Sequence, residues 1–170
     1  MFVKKSLLVP SLSVFISCFA ASIASAQDSK CPYTLASLQG TYAVVLTYGA
    51  NVAAGLQIEQ FDGKGNVTRI GPINQPLVGS TTGERTVSPV TSVGTYTVNC
   101  DGTGVITRIV TQASGTATTN TVDDMMITAA EKRPAFGLVI ATAIADMQRT
   151  PSSVVPGGIF VTRVHTRLPD

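Results

Sequence analysis

The chain has 170 residues, of which 13% are charged and 44% hydrophobic, with 12 Lys+Arg against 10 Asp+Glu, no Trp and one His. That length allows one domain, and the apolar content is too high for a disordered chain. Lys4 and Lys5 belong to an N-terminal export segment, and without them ten positive side chains face ten negative ones; a balanced charge removes the electrostatic basis for binding nucleic acid or an acidic membrane.

Residues 1–26 have the grammar of a secretory signal peptide: the basic start Met1-Phe2-Val3-Lys4-Lys5, an apolar run from Leu7 to Ala21, and the small-residue site Ala24-Ser25-Ala26. A membrane anchor would need roughly 20 uninterrupted apolar residues, and Pro10 and repeated serines break the run. Lipidation at Cys18 is disfavoured by the poor match of Phe15-Ile16-Ser17-Cys18 to a bacterial lipoprotein site. The mature chain is therefore predicted to start at Gln27, to be periplasmic or extracellular, and not to span a membrane. In such an oxidising compartment the two remaining cysteines, Cys31 and Cys100, are expected to pair. A bridge over a loop of about 70 residues contributes on the order of 4 kcal/mol in the chain-entropy model. Two distant cysteines and the single imidazole of His165 exclude a zinc site of standard ligand spacing.

After an N-terminal arm, 27–40, the predicted barrel domain covers 41–167. Thr, with 22 residues, and Val, with 20, dominate the composition, and both favour strands because branched side chains pack on a pleated surface. Strands are predicted near 41–48, 54–61, 66–71, 91–98, 104–112, 119–128, 135–146 and 158–166. Residues 72–90 and 147–157, rich in Pro and Gly, read as longer loops at a barrel mouth. In 135–146 the run Leu138 to Ala145 also fits a buried helix, but its β-branched residues and the bracketing Pro134 and Pro151 favour a strand. In the first strand Tyr42, Val44, Leu46 and Tyr48 share one face, which is assigned to the interior, as is the face of Tyr96 and Val98 in the fourth. Eight strands joined mostly by short turns predict an all-β fold, an antiparallel up-and-down barrel whose closure removes the exposed edges.

Two phrases recur. Gly40-Thr41-Tyr42-Ala43-Val44 returns as Gly94-Thr95-Tyr96-Thr97-Val98, and Asp62-Gly63-Lys64-Gly65 returns as Asp101-Gly102-Thr103-Gly104. Asp-Gly-x-Gly supplies the positive φ angles of tight hairpins. Neither copy continues to the carboxylate an EF-hand requires. Asn66-Val67-Thr68 fits a glycosylation acceptor, but in a bacterial protein it is read as a turn asparagine. Together with Cys31-Pro32, Leu38 to Tyr42 and Phe61 to Thr68, these phrases resemble small secreted bacterial β-barrel proteins of unassigned function, over roughly residues 31–110. The resemblance implies a fold similar to lipocalin or allene-oxide-cyclase barrels and implies no activity.

Acid-base chemistry is thinly provided. His165 follows Arg163 near the end of the last strand and reads as a rim or surface residue. Asp123 and Asp124 are neighbours whose side chains point to opposite faces of a strand, and they read as a solvated bend. No glycine loop opens a helix to cradle phosphate, no cofactor is implied, and an enzyme is the least favoured class. An outer-membrane barrel is also disfavoured, since seven aromatics in the mature chain are too few for two girdles and Arg69, Arg108 and Arg163 would be costly against lipid.

Those arginines occupy a tripeptide seen three times, Thr68-Arg69-Ile70, Thr107-Arg108-Ile109 and Thr162-Arg163-Val164. Each follows Val or Ile, so the pattern leaves their direction open. Facing outward they make a polar row; converging inside they demand an anionic partner, either Glu59 or a carboxylate ligand. The sequence thus offers two functional readings. One is an exported barrel binding a small apolar or amphiphilic acid, its head on Arg69, Arg108 and Arg163 and its tail on Tyr42, Leu46, Tyr96 and Ile140. The other is a structural or interaction module with a filled core. Oligomeric state is left open.

Overall fold

The computed structural model describes residues 31–49, 52–77, 79–112, 115, 121–134, 137–151 and 160–170. The predicted signal peptide and the first part of the arm lie outside these described residues. Eight strands follow a short 3-10 turn, Leu35–Ser37: β1 (Gln39–Thr47), β2 (Ala54–Asp62), β3 (Asn66–Pro76), β4 (Arg85–Val98), β5 (Thr103–Gln112), β6 (Thr121–Arg133), β7 (Leu138–Gln148) and β8 (Thr162–Arg167). Each pairs antiparallel with the next, and β8 pairs with β1, closing an up-and-down barrel. The segment from Leu138 is a strand, with Ile144 opposite Ile127 and His165.

The hairpin phrases act as turn chemistry predicts. Asp62 Oδ1 accepts the backbone N–H groups of Lys64 (2.7 Å) and Asn66 (2.9 Å), and the Asn66 amide donates to Asp62 Oδ2 at 2.6 Å. Gly63 and Gly65 take φ values of 74° and 108° that only glycine adopts without strain. The second copy repeats the device, with Thr103 donating through N–H and hydroxyl to Asp101 Oδ1.

The predicted loop 72–90 is a correction. β3 and β4 continue through it, leaving 77–84 as the turn. Proline does not stop them because its missing N–H falls where no ladder bond is lost. Pro72 sits in a break of the β2–β3 ladder, between the pairs Gly55↔Ile73 and Ile58↔Ile70. Its partner Pro89 lies just beyond the last β4–β5 pair, Val90↔Gln112.

The turns 63–65 and 99–102, with the N-terminal arm, mark one end of the barrel, here the lower end. Leu38, Tyr42, Phe61, Val67, Tyr96, Ile106, Met125, Ala141 and Ile144 form an apolar plug there. The Phe61 ring meets Tyr42 and Tyr96 edge-on at 5.4 and 5.1 Å, a favoured aromatic geometry. A disulfide joins Cys31 to Cys100, tying the arm to the β4–β5 turn. At the upper end Leu46, Tyr48, Ala53, Ile73, Val90 and Val161 form a second apolar cluster.

Between the two clusters the usual alternation of a half-buried strand is inverted. β2 buries Gln57 and Glu59 and exposes Leu56 and Ile58, which are 67% and 44% accessible. β3 buries Arg69 and exposes Ile70, and β8 buries Arg163 and His165 and exposes Val164. The outer wall therefore carries the apolar members of these strands. No helix among the described residues is long and apolar enough to cross a membrane.

Candidate functional site

Six of the eight strands contribute a charged side chain to one layer inside the barrel. β2 supplies Glu59, β3 Arg69, β5 Arg108, β6 Asp123, β7 Asp146, and β8 both Arg163 and His165; all seven are buried. β4 adds Ser92, and β1 faces the layer with Tyr42, Val44 and Leu46. The three Thr-Arg-Ile/Val tripeptides thus point their arginines inward, and the polar outer row is excluded.

Arg108 is the hub and is 0% exposed. Its Nε donates to Glu59 Oε1 at 2.9 Å, its Nη2 to Asp146 Oδ2 at 3.1 Å, and its Nη1 to Asp123 Oδ2. Arg163 Nη1 donates to Asp123 Oδ1 at 2.9 Å and to Asp146 Oδ1 at 2.7 Å. Burial opposes both guanidinium charges, but Glu59, Asp146 and Asp123 around Arg108, and Asp146 and Asp123 beside Arg163, more than offset it and keep both firmly cationic. The carboxylates respond in kind. Burial would raise Glu59, yet Arg108, then His165 and Arg69, hold it down at about 2. Asp146 is lowered too, with Arg163 and Arg108 overcoming its burial.

His165 corrects the expectation of a rim residue. It is fully buried, with Nε2 at 3.0 Å from Asp146 Oδ2 and Nδ1 at 2.8 Å from Glu59 Oε2. Burial lowers its pKa, but the two carboxylates outweigh that and raise it. The Glu59 contact is short but not aligned as a hydrogen bond, and among the described residues neither Glu59 Oε2 nor His165 Nδ1 has another partner. Asp123 corrects a second expectation, since it lies mid-strand and buried rather than in a solvated bend. Asp124 does face outward, where Arg149 grips it with three hydrogen bonds of 2.6–2.9 Å.

Arg69 stands apart. It is 5% exposed, and among the described residues no hydrogen bond or ion pair reaches its guanidinium; Nη1 is buried without a partner there. Glu59 is its direct cross-strand neighbour in the β2–β3 register. That carboxylate, however, is engaged by Arg108 and His165. Burial, reinforced by Arg108 and Arg163, lowers the Arg69 pKa to about 9 despite the attraction of Glu59 and Asp146. Above it, Gln57 and Gln148 are also buried and leave their Oε1 atoms unpaired.

The predicted tail residues are not gathered in one place. Tyr42 and Tyr96 belong to the lower plug and Leu46 to the upper cluster. Tyr42 donates its hydroxyl proton to the Ala141 carbonyl at 2.7 Å, and the Tyr96 hydroxyl lies 2.8 Å from the Leu38 carbonyl and 3.1 Å from that of Leu35. Burial pushes both phenols up to about 12. Ile140 is buried as well. Asp146 joins the layer without having been expected from the sequence, although its two-residue spacing from Ile144 and Gln148 puts all three on the inner face.

Chemically, the layer brings together three guanidinium groups, three carboxylates and one imidazole. Among the described residues no cluster is arranged to hold a metal ion. The chain matches no family model, and neither the curated proteins nor the solved structures contain a match to it.

Proposed function

We propose that this protein is an exported barrel that binds a small amphiphilic acid from its upper end, with the carboxylate on Arg69. The observation that carries the reading is that Arg69, alone among the layer's arginines, has no carboxylate of its own among the described residues. A buried, unpaired guanidinium costs several kcal/mol, and an incoming anion recovers that energy. Leu46, Tyr48, Ile73 and Val90 pack together at the upper end and are the apolar side chains that a short tail would part on entry. The predicted three-arginine head group is thereby narrowed to Arg69, because Arg108 and Arg163 are neutralised from within. The export features at Lys4-Lys5 and Ala24-Ser25-Ala26 support a periplasmic or extracellular setting.

Native mass spectrometry of the purified protein is expected to reveal a co-purifying acid, or binding of added decanoate, that Arg69→Gln abolishes. Failure of the wild type to bind any of a series of short fatty acids removes the reading. The alternative, a structural or interaction module with no ligand, is favoured by the internal pairing of Arg108 and Arg163; it stands if Arg69→Gln only stabilises the fold.

A further inference from the structure

Resting on that reading, we propose that Glu59 is a built-in competitor for Arg69, held away by a protonated His165, so that the site takes up a monoanion when the imidazole is charged and rejects it when the imidazole is neutral.

The charge count sets the ligand class. Arg69, Arg108 and Arg163 balance Glu59, Asp123 and Asp146, and a protonated His165 adds one positive charge. One monoanion restores neutrality; a dianion overshoots it. In a buried layer such an imbalance is costly.

The geometry identifies which group moves. A charged imidazole has two N–H groups and serves both carboxylates, whereas a neutral one has a single N–H and must turn a lone pair toward one of them. Asp146 cannot withdraw, since Arg163 Nη1 holds Oδ1 at 2.7 Å and Arg108 Nη2 holds Oδ2 at 3.1 Å. Glu59 Oε2 has no hydrogen-bond donor among the described residues and is held only by its 2.8 Å charge contact with His165 Nδ1. Its direct cross-strand neighbour is the unpaired Arg69, and inward-facing cross-strand side chains are within reach of each other. Loss of the proton therefore keeps Nε2–H on Asp146 and releases Glu59 Oε2 to Arg69, where it takes the place of the ligand.

Two groups of the layer titrate on the alkaline side, His165 and Arg69, the latter lowered by burial to about 9, and Glu59→Gln separates their effects because it removes the competitor and leaves Arg69 in place. β2 presents Glu59, β3 Arg69, β5 Arg108, β6 Asp123, β7 Asp146, and β8 itself Arg163, while β1 and β4 present no charged group to the layer. His165 is the one imidazole among them, and although burial lowers its titration, Asp146 and Glu59 outweigh burial and raise it. It is also the single histidine of the chain, so its NMR signal needs no assignment.

The test first locates the His165 midpoint by NMR on the full, ligand-free protein. Calorimetry then measures decanoate binding one pH unit below and one above that midpoint, and crystal structures are determined without ligand at the same two pH values. The expected result is about tenfold weaker decanoate binding above the midpoint, the limit for one linked proton, a rise in the midpoint when decanoate is added, as linkage requires, and a Glu59 carboxylate moved onto Arg69 in the high-pH structure. Glu59→Gln loses a buried partner of Arg108 and is expected to be less stable, but its folded fraction is expected to bind decanoate equally well at both pH values. Decanoate binding that needs Arg69 but does not change across the midpoint overturns the competitor while sparing the binding reading. If decanoate does not bind at all, the binding reading fails. The ligand-free structures then decide the competitor separately, and a Glu59 that stays on His165 above the midpoint overturns it.

Discussion

Gly94 of β4 lies directly opposite Arg108 of β5, and a methyl group at Gly94 would come within 2.0 Å of the Thr107 carbonyl oxygen and 3.0 Å of the Arg108 Cα. Both neighbours are backbone, so no side-chain rotation relieves the clash. The β4 strand can approach the hub arginine this closely only because position 94 has no Cβ. Gly94→Ala is expected to lower unfolding stability by roughly 1–3 kcal/mol or more, the usual cost of overpacking a dense interior, as read from urea titration. An unchanged midpoint would mean that the two strands separate without penalty.

The ion layer makes a sharper contrast between two neighbouring residues. Asp123 accepts from Arg108 and Arg163 while fully buried, and Asp124 pairs with Arg149 at the surface. Removing one partner of a buried pair leaves an uncompensated charge and costs about 3–5 kcal/mol, so Asp123→Asn is expected to unfold the protein or bring it close to unfolding. Asp124→Asn removes an exposed pair that solvent screens and is expected to leave the urea midpoint unchanged. Similar losses from the two substitutions would show that the inner layer is hydrated.

The strand order was legible because turn chemistry is local: Asp62-Gly63 and Asp101-Gly102 announce hairpins whatever surrounds them. The inside of the barrel was harder to read. In Val67-Thr68-Arg69-Ile70 each face has one apolar residue, so alternation does not choose between Arg69 with Val67 and Thr68 with Ile70. The choice is made by Glu59, Asp123 and Asp146, which come from three other strands and meet the arginines only once the barrel closes. The spacing of Arg163 and His165 did hold a usable signal, since residues two apart share a face. Placing the imidazole with the arginine rather than at the rim follows from it. The extension of β3 and β4 past Pro72 and Pro89 was hidden for a different reason: a proline's cost depends on whether its partner strand needs the N–H at that point, and that is a property of register.

The lower end depends on the arm. Tyr96 caps the plug by hydrogen bonding to Leu35 and Leu38, and the Cys31–Cys100 bridge anchors the segment that carries them. Reduction is expected to cost about 4 kcal/mol if the loop-entropy account holds. Tyr96→Phe, which keeps the ring against Phe61, is expected to cost about 1–2 kcal/mol for the lost buried hydrogen bonds. If reduction removes no more stability than Tyr96→Phe does, the bridge acts only through these contacts. Denaturing alkylation of the oxidised protein checks the premise, and is expected to label neither Cys31 nor Cys100.

The same layer fixes how stability varies with pH, and its two limbs have opposite signs. Glu59 titrates at about 2 in the folded protein, below its unfolded value, so its contribution is present above the unfolded pKa and is lost as pH falls toward 2. His165 titrates above its unfolded value of 6.5, so its contribution is complete below about 6.5 and is lost as pH rises through the folded midpoint. Stability measured by urea unfolding is therefore expected to peak on the acid side of neutrality, between these limbs, rather than on the alkaline side. His165→Gln keeps a hydrogen-bonding side chain but has no charge to lose, and it is expected to flatten the alkaline limb while leaving the acid limb in place. A wild-type profile that keeps rising from pH 6 to pH 9 would show that His165 is neutral in the folded protein and that Glu59 and Asp146 do not hold its proton.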